Sequence, residues 1–145
     1  MNFTGTILVV DDEAHIRMFV SLLLRQICTP TIIEASNGEA ALVEYAAHKP
    51  DLVLLDVNMP GMDGLQTLRR LMEEDPDCLV VMLTSLVSRA TVEEAASLGA
   101  VNYIRKDNTP EEVTRVLREI LEECFGDEEG EPAAEAGADK EDDEG

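Results

Sequence analysis

Residues 52–64 read LVLLDVNMPGMDG: four apolar residues, Leu52 to Leu55, run into an acid, Asp56, and then into a segment broken by Pro60, Gly61 and Gly64. A short continuous apolar run bounded by turn residues suits a strand buried on both faces of a parallel sheet. Four more runs of the same kind lie on either side of it: Ile7 to Val10, Thr31 to Ile33, Leu79 to Leu83 and Val101 to Ile104. The intervals between them carry helical period.

Ala14 to Cys28 places Ile16, Val20, Leu23, Leu24 and Ile27 on one face, and Asn37-Gly38 opens a second helix carrying Leu42, Tyr45 and Ala46. A third starts at Asp63, runs through Leu65, Leu68 and Met72, and stops at Asp75-Pro76. Arg89 to Leu98 offers mainly Val92, Ala95, Ala96 and Leu98, small groups that bury little area, so this fourth helix is expected to be the loosest. The fifth has the strongest signal. Thr109, Pro110 and Glu112 supply an N-cap, a first-turn proline and the acid of a capping box, and Val113, Val116, Leu117, Ile120, Leu121 and Cys124 form one stripe. Strand and helix alternating five times predict an α/β fold, an open parallel sheet with helices on both faces.

Such sheets bind ligands outside the carboxyl ends of their strands. The residues there are not random: Asp11-Asp12 follow the first run, Asp56 the third, Thr84-Ser85 the fourth and Arg105-Lys106 the fifth, while the second ends at Ser36 with no evident chemistry. Two carboxylates about 6 Å apart repel by ~3 kcal/mol at an effective dielectric near ~20, so three together call for a cation or raised pKa values. All are hard oxygen donors, which favours Mg²⁺ over zinc. Magnesium takes one or two carboxylates and leaves room for a phosphate, whose remaining oxygens Lys106 and Thr84 could meet. The Pro and Gly residues after Asp56 are expected to leave its carboxylate open to solvent, where it could attack phosphorus and form an acyl phosphate. Asp11 and Asp12 cannot both be the nucleophile and hold the metal, so Asp56 is the better candidate.

Composition narrows the field. The chain has 145 residues and a formal net charge of -20, of which residues 126–145 carry -9. Acidity of this degree repels phosphate backbones and anionic lipid, so neither nucleic acid nor a membrane surface is expected as a direct partner. The last twenty residues contain no Leu, Ile, Val, Phe, Met, Tyr or Cys and are expected to form a disordered acidic tail, with residues 1–125 as the folded domain. Cys28, Cys78 and Cys124 make no CxxC pair and read as reduced core residues; His15 and His48 lack metal-ligand spacing and read as exposed. Without a signal peptide or a membrane-spanning run, a cytoplasmic location is expected.

Four segments together, LVVDDE at 8–13, LLDVNMPGMDG at 54–64, MLTS at 82–85 and YIRK at 103–106, resemble the receiver domain of two-component response regulators. The resemblance covers residues 6 to about 124, and with nothing globular after it the chain looks like a single-domain regulator of the chemotaxis or phosphorelay kind. It implies a flavodoxin-like, doubly wound (βα)5 fold of strand order 2-1-3-4-5. Asp56 would be the phosphoacceptor, taking its phosphoryl group from a phosphohistidine of a sensor histidine kinase or histidine phosphotransfer protein, in a domain that catalyses its own phosphorylation and dephosphorylation. Asp12 would bind Mg²⁺ directly, Asp11 largely through water or as a supporting acid, and Asn58 through its backbone carbonyl. Lys106 would pair with phosphoryl oxygens. Thr84 would move toward them, and Tyr103 matches an aromatic switch whose turning inward reshapes a face that meets a downstream protein target.

Two positions depart from the family pattern. Asp107 stands where proline usually follows the lysine, putting a fourth carboxylate near Lys106, and Ser85 replaces a smaller residue. Two other functions share the same residues. A Mg²⁺-dependent phosphohydrolase would need a cap insertion and a second acid where Asn58 stands, and a phosphorylation-independent adaptor would not need every chemical position filled. Tyr103 also has the plainer reading of a core aromatic.

Overall fold

Each apolar run becomes a strand and each interval a helix. The computed structural model describes residues 2–85 and 88–126. Its elements alternate as β1 (Thr6–Val10), α1 (Ala14–Ile27), β2 (Thr31–Ala35), α2 (Gly38–His48), β3 (Leu52–Asp56), α3 (Gly64–Glu74), β4 (Val80–Thr84), α4 (Arg89–Leu98), β5 (Asn102–Arg105) and α5 (Pro110–Phe125). All five strands are parallel in the order β2-β1-β3-β4-β5, as the resemblance implied.

Alternation along the central strands divides the core in two. Ile7 and Val9 of β1, Leu52 and Leu54 of β3, and Val81 and Leu83 of β4 face α1 and α5. Leu8, Val10, Val53, Leu55, Val80 and Met82 face the other way, onto α2, α3 and Ala95 of α4. Each fully buried Leu or Val contributes about 1.5–3 kcal/mol, so these three strands dominate the stability. Cys28 and Cys78 are buried and Cys124 half-buried, while His15 and His48 are exposed.

The fifth strand departs from expectation. Its apolar run suggested burial on both faces, yet β5 buries only Ile104, because it is an edge strand paired with β4 alone. Ala46 and Ala96, named among the apolar residues of the second and fourth helices, are exposed. Ala95 is the one fully buried residue of α4, in keeping with a loosely held helix.

Capping fixes where the helices begin. The Asp63 side chain accepts from the Gln66 N–H at 2.9 Å while Gln66 returns a bond to the Asp63 N–H at 3.1 Å, closing a capping box at α3. At α5 the Thr109 hydroxyl accepts from the Glu112 N–H at 3.2 Å, but the expected return bond is not made. Arg115, one turn on, takes the Glu112 carboxylate at 3.0 Å instead. Gly126, assigned from composition to the tail, is the C-cap of α5. Residues 127–145 of that acidic tail lie outside the described residues.

Candidate functional site

The order 2-1-3-4-5 reverses between β1 and β3, and the acids stand at the carboxyl ends of these two strands. Asp11 directly follows β1, and Asp56 is the last residue of β3. One carboxylate oxygen from each of Asp11, Asp12 and Asp56 lies within 4.8 Å of the others. Lys106, just past β5, reaches across to place Nζ 2.9 Å from Asp11 Oδ2 and 3.0 Å from Asp56 Oδ1. Thr84, buried at the end of β4, accepts the Lys106 backbone N–H through its carbonyl at 2.9 Å. Residues distant in sequence thus meet on one sheet edge.

The phosphoacceptor candidate is more enclosed than its loop composition implied. Asp56 is 1 % exposed, so the expectation of a solvent-open carboxylate is overturned. The loop folds back rather than away: Gly64 N–H bonds to the Val57 carbonyl at 2.9 Å, and a Cβ on Gly64 would collide with the Asp56 backbone carbonyl. The Asn58 N–H donates to Asp56 Oδ1 at 3.1 Å, the same oxygen that Lys106 holds. Oδ2 of Asp56 is buried with no hydrogen-bond partner.

Burial pushes the Asp56 carboxyl up to about 6, with the Asp11 charge adding to the rise and Lys106 and the Asn58 N–H opposing it. For Lys106 the balance is reversed. Burial disfavours its ammonium, but hydrogen bonds to Asp11 and Asp56 and the charge behind them outweigh that and hold its pKa above the usual lysine range.

Asp12 is exposed beside this buried group and Asn58 is exposed beyond it. The donors are all oxygens, three carboxylates gather within 4.8 Å, and one of their buried oxygens has no partner, a set that fits a hard divalent cation such as Mg²⁺.

Asp107 does not crowd the lysine. Its carboxylate is taken by the Arg105 guanidinium in a two-pronged pair of 3.1 and 2.8 Å, and the Lys106–Asp107 peptide is trans. The pair lowers the Asp107 carboxyl below its ordinary value. Ser85 is exposed.

Tyr103 is 38 % exposed and therefore not a core aromatic. It lines a cavity of about 220 Å³ shared with Thr84, Met82, Val92 and Ala95, between α4 and the last two strands. Sequence reasoning passed over Arg17 and Glu34, which meet beside Asp11; the only sequence signal was a basic residue in the first turn of α1, where acids are the usual dipole partners.

A sequence profile described as the response regulator receiver domain matches residues 7–118. The chemotaxis protein CheY of Thermotoga maritima is 32% identical over 114 residues, 79% of this chain and 95% of that protein. CheY of Bacillus subtilis is 35% identical over 114 residues, 79% of this chain and 92% of its own. Among solved structures, the response regulator domain of Thermotoga maritima CheB superposes with a TM-score of 0.76 at 26% identity, covering 86% of this chain and 98% of that one. The CheX–CheY–BeF3–Mg complex of Borrelia burgdorferi gives 0.74 at 29% identity, covering 80% and 86%. From β1 well into α5, and in the same strand order, this chain belongs to the family of response regulator receiver domains.

Proposed function

We propose that this receiver domain is a signalling switch that accepts a phosphoryl group on Asp56 from a phosphohistidine of a sensor histidine kinase or histidine phosphotransfer protein. The observation that carries the reading is the Asp56 carboxylate: one oxygen is fixed by Lys106 and the Asn58 N–H, and the other is buried without a partner beside Asp11 and Asp12. That second oxygen attacks phosphorus. The P–N bond breaks, the imidazole nitrogen keeps the electron pair and takes a proton from solvent, and Asp56 becomes an acyl phosphate. In the reverse half, water attacks phosphorus, the P–O bond to Asp56 breaks, and inorganic phosphate leaves.

Asp12 and Asp56 would hold Mg²⁺ with the Asn58 carbonyl, Asp11 acting largely through water or as a supporting acid; the ion would supply positive charge against the phosphoryl oxygens. Lys106 holds the same oxygens from the β5 side, and its place between Asp11 and Asp56 puts it within reach. The CheY relative solved with BeF3, Mg²⁺ and CheX supports both the cation and a protein partner. Thr84 and Tyr103 line one cavity, which gives the tyrosine ring an inward position to occupy when the hydroxyl moves. Output then changes on the α4–β5 side, where α4 is the least buried helix.

The test is incubation with Mg²⁺ and acetyl phosphate followed by intact mass measurement. One alkali-labile adduct is expected in the wild type and none in Asp56→Ala. No adduct where a control receiver is labelled, or an adduct that persists in Asp56→Ala, sinks the reading. Turnover of an unrelated phosphomonoester would point to a hydrolase.

A further inference from the structure

Every polar atom of Asp11 is engaged. Its N–H donates to the Ala35 carbonyl at 3.2 Å, Oδ1 accepts the Glu13 N–H at 2.9 Å, and Oδ2 meets Lys106 at 2.9 Å. The fourth atom, the backbone carbonyl, accepts from Arg17 Nη1 at 2.7 Å. Arg17 is itself gripped: Nε donates to Glu34 Oε1 at 2.8 Å, and its side chain is only 17 % exposed. One guanidinium therefore ties the first turn of α1, the turn after β1, and the edge strand β2.

Three residues, Asp11 to Glu13, connect β1 to α1, so the direction of the Asp12 side chain is set by the peptide plane between residues 11 and 12. Arg17 holds that plane by its carbonyl. A planar fork with donors at two fixed angles is needed to reach the carbonyl and the Glu34 carboxylate together, which an ammonium cannot do. Glu34 orients the fork and offsets part of its charge beside the acidic cluster.

We propose that Arg17, held by Glu34, is a positioning residue for the cation site: it fixes the Asp11–Asp12 peptide and so aims the Asp12 carboxylate. The inference rests on the Mg²⁺ reading above. It makes a prediction opposite in sign to simple electrostatics, because deleting a positive charge next to three carboxylates should by itself tighten Mg²⁺ binding.

The experiment is calorimetric titration of the full chain with MgCl₂, without phosphodonor. Arg17→Met, similar in length but without donors, should weaken Mg²⁺ binding by about tenfold or more, the usual effect of losing a group that orients a ligand. Arg17→Lys keeps the charge without the fork and should fall between Arg17→Met and wild type. Val20→Ala, a core truncation in the same helix, lowers stability alone and should leave the constant within about twofold of wild type, well below the effect of a lost orienting group. Unchanged or tighter binding by folded Arg17→Met overturns the proposal. If circular dichroism shows Arg17→Met unfolded, Arg17→Lys decides: weaker binding is expected, and an unchanged constant overturns it. If the wild type itself binds no Mg²⁺, the failure lies with the cation reading, and the proposal falls with it.

Discussion

The Lys106 ammonium lies 3.0 Å from Asp56 Oδ1, a contact that links residues at the ends of two strands separated in the sheet by β4. With its second bond to Asp11, this lysine is the sole cation paired with the buried acids among the described residues. Removing it leaves two buried carboxylates uncompensated. Lys106→Ala should lose about 3–5 kcal/mol of stability at neutral pH in metal-free urea unfolding. A loss below about 1 kcal/mol, the range of an exposed pair, would show that water or neighbours replace it.

Asp56 gives stability a pH signature. Its folded pKa of about 6 exceeds the unfolded value, so the native state binds more protons and stability falls as pH rises from about 4 to about 6. The full shift corresponds to at most about 3 kcal/mol. Asp56→Asn should abolish this fall and, without divalent metal, be more stable than wild type by about 1–3 kcal/mol at pH 7.5. Parallel stability curves for the two proteins across this window would contradict the burial argument.

Gly64 is where backbone meets backbone. A methyl group there would press on the Asp56 carbonyl and on Val57, neither of which can swing away as a side chain does. Gly64→Ala should cost about 1–3 kcal/mol and also slow labelling by acetyl phosphate, because the loop it displaces carries the Asn58 N–H that holds Asp56. Normal labelling at reduced stability would separate the loop from the chemistry.

On the opposite end of the sheet, the Tyr45 hydroxyl donates to Asp75 Oδ2 at 2.6 Å, joining α2 to the C-cap of α3. That bond lowers the Asp75 carboxyl and, with burial as the larger cause, raises the Tyr45 phenol. Tyr45→Phe should lower the thermal midpoint by a few degrees at pH 7. Asp75 contributes above its unfolded pKa and loses that contribution as pH falls through its lower folded value. The gap between variant and wild type should therefore narrow at pH 3, and a constant gap would remove the hydrogen bond as its cause.

The parts legible in the sequence were those fixed by local pattern. Continuous apolar runs gave the strands, and the residue after each run gave Asp11, Asp56, Thr84 and Lys106 as neighbours. What pattern could not supply was the effect of distant chain. Asp56 looked exposed from Pro60 and its glycines, but its enclosure comes from Gly64 folding against it and from Lys106. Tyr103 and Val101 read as buried because they are apolar, whereas β5 has a strand neighbour on one side only. Glu112 fits a capping box by spacing but pairs with Arg115, and Asp107 is claimed by Arg105; in both, a guanidinium took the carboxylate. Arg17 was missed because its two side-chain partners, the Asp11 carbonyl and Glu34, lie on separate parts of the fold that no local pattern links to it.

Asp11 and Asp12 are adjacent in sequence yet differ in how far they are open to change. With all four polar atoms of Asp11 committed to different parts of the fold, a substitution there disturbs folding before it alters chemistry. Asp12, exposed next to it, carries no such burden. A designer seeking a receiver with a different cation preference would vary position 12 and leave position 11 alone.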